Sequence, residues 1–328
     1  MNSTLQNLTI FKLCLQTIFL LCLNSVVLFA QNQNLPKPTP PPAEKTIKTG
    51  RESSLMMRFP QSPETDRTDP DLATRYAYIL AQAESTFYRK PSNKELEAVK
   101  LAPELRSKYA NYFSESSGVI RLLPDIGCEK SLRVIDVRAE CLERKLPGSG
   151  SSYSFRINNY RISRLSDITY NGEYLKATGV YTLAMFLRLS VDDFLGISMS
   201  LPAAGKLAIL EVPEKLEDAM KMEKELDSGY RIEDLFLRSS VKAELGTNFL
   251  LRSVAYRGKV IRSFDGATYN EMDFDKRRDI LLVLRPLEVL VDGSLILAWK
   301  KLSETKSPKL EDSKGNHENE VFPRNSDQ

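Results

Sequence analysis

Ile168-Thr169-Tyr170-Asn171-Gly172-Glu173-Tyr174-Leu175-Lys176-Ala177 is the stretch on which the reading of the fold turns. Two short runs carrying β-branched and aromatic residues flank an Asn-Gly pair. Asn-Gly supplies the two positive φ angles of a type I′ turn, so the segment predicts a tight antiparallel hairpin.

Working outward, apolar residues keep recurring at every second position. Ile135, Val137, Ala139 and Cys141 alternate with Asp136, Arg138 and Glu140, which predicts a half-buried strand with Cys141 inward. Tyr153, Phe155 and Ile157 alternate with Ser154, Arg156 and Asn158 in the same way. Val180 to Leu189 and Leu207 to Val212 are more apolar and read as central strands. Further strands are expected at Asn248 to Arg257, Lys259 to Phe264, Ile280 to Leu284 and Leu287 to Val291. Asp292-Gly293 then turns the chain into Leu295 to Trp299. Pro286 sits between two apolar runs and marks an edge or a bulge.

The period is 3.6 in two places only. Asp69-Pro70 reads as an N-cap with proline in the first turn, and Leu72, Tyr76, Ile79, Leu80, Ala83 and Phe87 then form one apolar face. Ser92-Asn93-Lys94-Glu95 is a capping box that opens a second helix, Pro103 breaks or restarts it, and Leu105, Tyr109, Tyr112 and Phe113 continue a helical face. The other helix is expected to open at Pro213 and stop at Gly229, with Leu216, Ala219, Met220 and Leu226 inward. Strands in series with short turns argue for antiparallel sheets rather than βαβ units. The expected class is α+β, mainly β: antiparallel sheets, as a sandwich or an open barrel-like arrangement, behind an N-terminal helical hairpin, with one further helix near 213–228.

The ends of the chain read differently. Residues 1–30 hold one charge, Lys12, and a mostly apolar run from Leu13 to Phe29 ending at Ala30. This predicts a secretory signal peptide, with an uncleaved N-terminal anchor as the rival. Residues 31–68 are Pro-rich and suit an extended spacer. Residues 69–117 form the expected helical layer, 118–302 the β-rich domain packed with it, and 303–328 a polar tail expected to be disordered. Cys14 and Cys22 leave with the signal. Cys128 and Cys141 remain, and an even count in an exported chain predicts a structural disulfide between them. The localisation expected is secreted or periplasmic, in a bacterial cell envelope.

Composition limits the chemistry. The chain has 328 residues, a formal net charge of +3 and one histidine, His317, which falls in the polar tail. That removes histidine-based catalytic triads and His-rich metal centres from the fold. Gly148-Ser149-Gly150-Ser151-Ser152 lacks the Lys-Ser/Thr ending and the following helix of a phosphate loop, so it reads as a flexible hairpin loop. Glu271, Asp273 and Asp275 stand at period 2 within the acidic stretch Asp265 to Asp275. They could hold Ca²⁺ or supply an acid and a base to a glycosidic bond; the plainer reading puts them on the solvated face of a strand, offset by Lys276, Arg277 and Arg278. Asp192-Asp193 reads as a turn or helix start. Basic residues are interspersed with acids, which disfavours nucleic acid. Trp299 is assigned to the core, and the 13 tyrosines keep a sugar-binding role open.

No catalytic residue, cofactor site or metal site is assigned. The expected role is an exported, non-enzymatic domain that binds or scaffolds an envelope or extracellular protein or glycan, with membrane contact only through the N-terminal segment if that stays uncleaved. The alternatives are a carboxylate-dependent polysaccharide or peptidoglycan hydrolase and a carbohydrate-binding module.

Overall fold

Residues 70–131, 134–135, 139–264 and 267–311 are described by the structure, a computed structural model. The expected signal, anchor and spacer, together with Asp69, Asp265, Gly266 and His317, lie outside the described residues.

Helix α1 spans Pro70–Phe87, followed by the short segments α2 (Asn93–Leu96) and α3 (Pro103–Lys108). Ile79 and Ala83 of α1 are buried, whereas Tyr76, expected on the same face, is 42% exposed. The capping box at α2 is present in both directions: the Glu95 N–H donates to Ser92 Oγ, and the Ser92 N–H donates to Glu95 Oε2. Strand β1 is Ser117–Leu122, β2 Glu129–Ser131 and β3 Val134–Ile135, and α4 is Ala139–Glu143. Next come β4 (Ser152–Ser154), β5 (Asn159–Tyr160), β6 (Ile168–Tyr170), β7 (Tyr174–Ala177) and β8 (Thr182–Arg188). Helices α5 (Pro202–Ile209) and α6 (Leu216–Ser228) interrupt. The chain resumes with β9 (Tyr230–Ile232), β10 (Leu235–Arg238), β11 (Ser240–Lys242) and β12 (Phe249–Ala255), then β13 (Ile261–Phe264) and β14 (Ala267–Asn270). It ends in two long strands, β15 (Arg278–Val289) and β16 (Leu295–Lys306).

The protein is mostly antiparallel β-sheet with a few helices. A seven-stranded sheet has the order β1-β16-β15-β12-β8-β10-β9, and a five-stranded sheet the order β11-β7-β6-β4-β5. Alternation decides which side chains go where. From the seven-stranded sheet, Phe186, Leu251, Leu282, Leu297 and Trp299 share one core with Tyr153, Phe155, Ile168, Tyr170 and Leu175 of the five-stranded sheet and its adjoining turn. Their sequence neighbours Met185, Leu250, Leu281, Val283, Ile296 and Ala298 face the other way, into a second core with Ala204 and Leu207 of α5 and Ala219, Met222 and Leu226 of α6. The large sheet is therefore covered on both faces. Each fully buried Leu, Ile or Phe there contributes about 1.5–3 kcal/mol relative to an exposed one.

Several expectations need correction. The alternating run through Cys141 is not one strand: Ile135 lies in β3, whereas Cys141 sits on α4, still buried. A short apolar alternation cannot by itself exclude a helical turn. The hairpin at 168–177 forms, with Tyr170 opposite Leu175, but its turn is not type I′. Gly172 has φ 97° while Asn171 has no positive φ, and the Asn171 N–H donates to the Tyr174 carbonyl at 3.1 Å. Gly172 thus leads the turn, and Asn171 Oδ1 accepts from the Glu173 and Tyr174 amides. Leu207 to Val212 is not a central strand; it is the end of α5, started by Pro202, and the loop after it. An apolar run of that length reads equally as strand or buried helix. Helix α6 starts at Leu216 rather than Pro213, because the extended Glu214–Lys215 backbone is engaged by Glu311, whose N–H donates to the Glu214 carbonyl at 2.6 Å. Met222, not Met220, completes its inward face.

Order also continues past Leu302. β16 runs to Lys306, the Arg257 N–H donates to the Pro308 carbonyl, and Leu310 is 8% exposed. The bulge at Pro286 appears as a register shift between Pro286 and Glu288 in the β15–β16 ladder.

Candidate functional site: the buried arginine–carboxylate cluster

The acidic stretch does not make a strand. Glu271–Phe274 is a 3₁₀ turn, started by Asn270, whose Oδ1 accepts from the Met272 N–H. The turn sends the three candidate acids in different directions. Glu271 is buried, Asp273 is exposed and accepts from Asn270 Nδ2, and the Asp275 side chain is 1% exposed. They share no solvated face, contrary to the strand reading, and do not converge on one point. Among the described residues, no group of three or more His, Cys, Asp or Glu side chains could hold a metal ion.

Each buried acid is answered by arginine. Arg164 Nε and Nη2 donate to Glu271 Oε1 and Oε2 at 2.8 and 2.6 Å, and Arg262 Nε donates to Oε2 at 3.1 Å. Asp275 Oδ2 lies 3.0 Å from Arg156 Nη2 and 2.8 Å from Arg277 Nη1. Asp167, at the turn into β6, accepts from the Phe155 N–H at 2.7 Å and the Ser253 hydroxyl at 2.6 Å. Arg156 Nη1 stands 3.3 Å from Asp167 Oδ1, and both side chains are fully buried. Beside Glu271, Tyr88 and Tyr269 share a hydroxyl–hydroxyl bond of 3.1 Å, and the Tyr88 ring stacks on Phe274. Burial, reinforced by Glu271, raises the Tyr88 phenol well above the ordinary tyrosine range.

Arg277 does a second job. Its Nη2 donates to the Val180 and Tyr181 carbonyls at 2.7 Å each, and its Nε donates to the Tyr256 carbonyl at 2.8 Å. Tyr181 has φ 46°, a conformation costly for a bulky side chain, and these bonds hold it there. Burial pushes the Arg277 guanidinium down to about 10, against the upward pull of Asp275. The arrangement ties the β4–β5 turn, the start of β6, the loop before β8, the central strand β12 and the 271–277 segment into one unit. A general acid or base must reach a reactant. Glu271 has no exposed surface and both its oxygens are engaged, so its geometry is that of a lock.

The remaining sequence candidates are placed as follows. Cys128 and Cys141 are at disulfide distance and bonded, with Cα atoms 5.3 Å apart. The Gly148 segment is no flexible hairpin loop. Gly148, Ser149 and Gly150 have φ of 62°, 52° and 74°, and residues 147–152 are all buried. The Ser149 and Ser151 amides donate to the Leu146 and Gly148 carbonyls, so they are committed within the protein. Asp193 Oδ1 accepts from the Gly196 N–H, as a turn-starting Asp does, and Asp192 is exposed. Trp299 is buried against Phe155. Seven tyrosines are buried (Tyr88, Tyr109, Tyr153, Tyr160, Tyr170, Tyr256 and Tyr269), which weighs against a tyrosine-lined sugar site.

Sequence reasoning missed the surface. Val191, Leu195, Met199, Ile209, Met220 and Phe236 are large, apolar and exposed, Ile209 at 82%. They lie on the loop before α5, on α5 and α6, and on β10. Phe236 is flanked by the guanidinium groups of Arg231 and Arg238, 5.5 and 5.0 Å from its ring centre. Part of the signal was visible: only one side of α6 could face the core, which left one of its methionines outward.

Compared with known proteins, the chain matches no family model, no curated protein and no solved structure.

Proposed function

We propose that this chain is an exported, non-enzymatic domain that binds or scaffolds a partner in the cell envelope or extracellular space. The observation that carries the reading is the concentration of exposed apolar side chains between Val191 and Phe236. Such side chains are tolerated singly, but several on consecutive elements of one stretch of chain suit a protein interface. Arginine-flanked Phe236 has the composition of an interface anchor. Export is supported by the apolar run at residues 13–29 and by the Cys128–Cys141 bond, which oxidising compartments favour. We read the two facing sheets as a sandwich with α5 and α6 over its outer face, and the segment from α1 to α3 as a helical hairpin.

The test is crosslinking of the tagged mature protein in its native compartment, followed by mass spectrometry. A protein partner captured from the envelope, together with an N-terminus beginning after Ala30, is the expected result. Retention of polysaccharide alone would move the reading to a carbohydrate-binding module, and two free thiols in the folded mature protein would remove the support for export.

A further inference from the structure

Phe236 lies on the outward face of β10, between buried Leu235 and Leu237, and is 39% exposed. Arg231 of β9 stands directly opposite it in the antiparallel ladder, and Arg238 follows two residues on, so all three side chains share one face. Both guanidinium groups lie against the ring, 5.5 and 5.0 Å from its centre. The ring is itself held down: a Cβ at Gly229 would stand 2.5 Å from Phe236 Cζ, so glycine leaves room for the ring to settle over the backbone there.

The local acids are engaged elsewhere. Glu233 and Asp234, in the turn between β9 and β10, reach Lys206 of α5, and Asp227 Oδ1 accepts from the Ser239 hydroxyl. Arg231 and Arg238 are exposed, and among the described residues neither has a carboxylate within ion-pair distance. Stacking on an aromatic ring orders a guanidinium through its face and leaves the N–H edge free for a carboxylate. β9 is also the last strand of the seven-stranded sheet, so nothing in that sheet continues past it.

On the reading that this chain binds a protein partner, on which this assignment rests, we propose that Arg231, Phe236 and Arg238 hold an extended, acidic segment of that partner. Carboxylates at alternate positions of the segment meet the two guanidinium groups, and the chain between them crosses the ring. The spacing suits this: diagonal positions on one face of a strand pair are about 7–8 Å apart, and alternate residues of an extended chain about 7 Å apart. A ring held against its own backbone suits a segment laid over it rather than insertion into a lipid surface.

Fluorescence anisotropy on the purified protein tests this, with a labelled nine-residue peptide alternating glutamate and threonine and its glutamine twin. The glutamate peptide should bind at least about tenfold more tightly, and less so as salt rises. Arg231→Gln combined with Arg238→Gln should abolish that preference at unchanged Tm, and Lys176→Gln, at an exposed lysine elsewhere, should leave it intact. No binding, or equal binding of the two peptides, overturns the acidic segment, while a partner caught by crosslinking would leave the interface itself standing. A preference that appears only after residues 312–328 are deleted would give the surface to the chain's own tail, whose Glu318 and Glu320 are two apart, and overturn the partner segment. Arginine-dependent pelleting with phosphatidylglycerol vesicles, in place of peptide binding, would give it to a lipid surface and overturn the proposal equally.

Discussion

Arg164 grips the carboxylate of Glu271 with two hydrogen bonds, 2.8 and 2.6 Å long, across 107 residues of chain. Glu271 has no exposed surface, so removing it leaves two arginines without their carboxylate, and removing Arg164 leaves the buried carboxylate with Arg262 alone. Glu271→Ala should cost about 3–5 kcal/mol in urea denaturation, and Arg164→Met a similar amount less whatever Arg262 recovers. The double variant should lose much less than the sum of the two, which a double-mutant cycle reads. Additive losses would mean that the pair is not coupled.

Glu95 gives the fold a pH signature. Its hydrogen bonds from Arg89 hold its carboxyl at about 2, below the ordinary 4.5. A folded pKa below the unfolded one contributes stability that is full above the unfolded value and is lost as pH falls through the folded one. Wild-type Tm should therefore fall between pH 4.5 and about 2 more steeply than that of Glu95→Gln, with melting curves at stepped pH as the measurement.

How far could the sequence be read? Strands were legible where the partner strand is local and a turn signal joins the two, as at β6–β7 and at the Asp292-Gly293 turn. The helix at Pro202 was not, because a short apolar run fits strand and buried helix alike. The cluster was hidden for a different reason. Arg156, Arg164 and Glu271 each look like surface residues in a mixed-charge background, and only a tertiary fold brings 156–167 against 271–277. Arg277 was noted as offsetting the acids, and it does pair with Asp275. Lys276 and Arg278 instead reach Glu304 on β16.

Gly148 offers a local test of the buried turn. A Cβ there would stand 2.3 Å from the Arg161 carbonyl oxygen, and the backbone has φ 62°. Gly148→Ala should cost well over 1 kcal/mol in denaturant unfolding. Gly258→Ala, where a Cβ meets nothing within 4 Å, should be within about 0.5 kcal/mol of wild type. Equal effects at the two positions would contradict the packed, left-handed turn.

The Cys128–Cys141 bond closes a short loop, with 13 residues of sequence separation. Replacing both cysteines by serine should remove about 2–4 kcal/mol, read as a lower urea midpoint. A midpoint that does not move would show that the clip is dispensable to the fold.

The central claim is that the exposed apolar side chains between Val191 and Phe236 form a partner-binding surface. Site-specific photo-crosslinking in the native compartment tests it most directly, with the probe placed at Ile209, at Phe236 and, as a control, at exposed Lys176 on the five-stranded sheet. The account predicts one discrete protein adduct from Ile209 and Phe236 and none from Lys176. No adduct from Ile209 or Phe236, or the same adducts from all three positions, would contradict it.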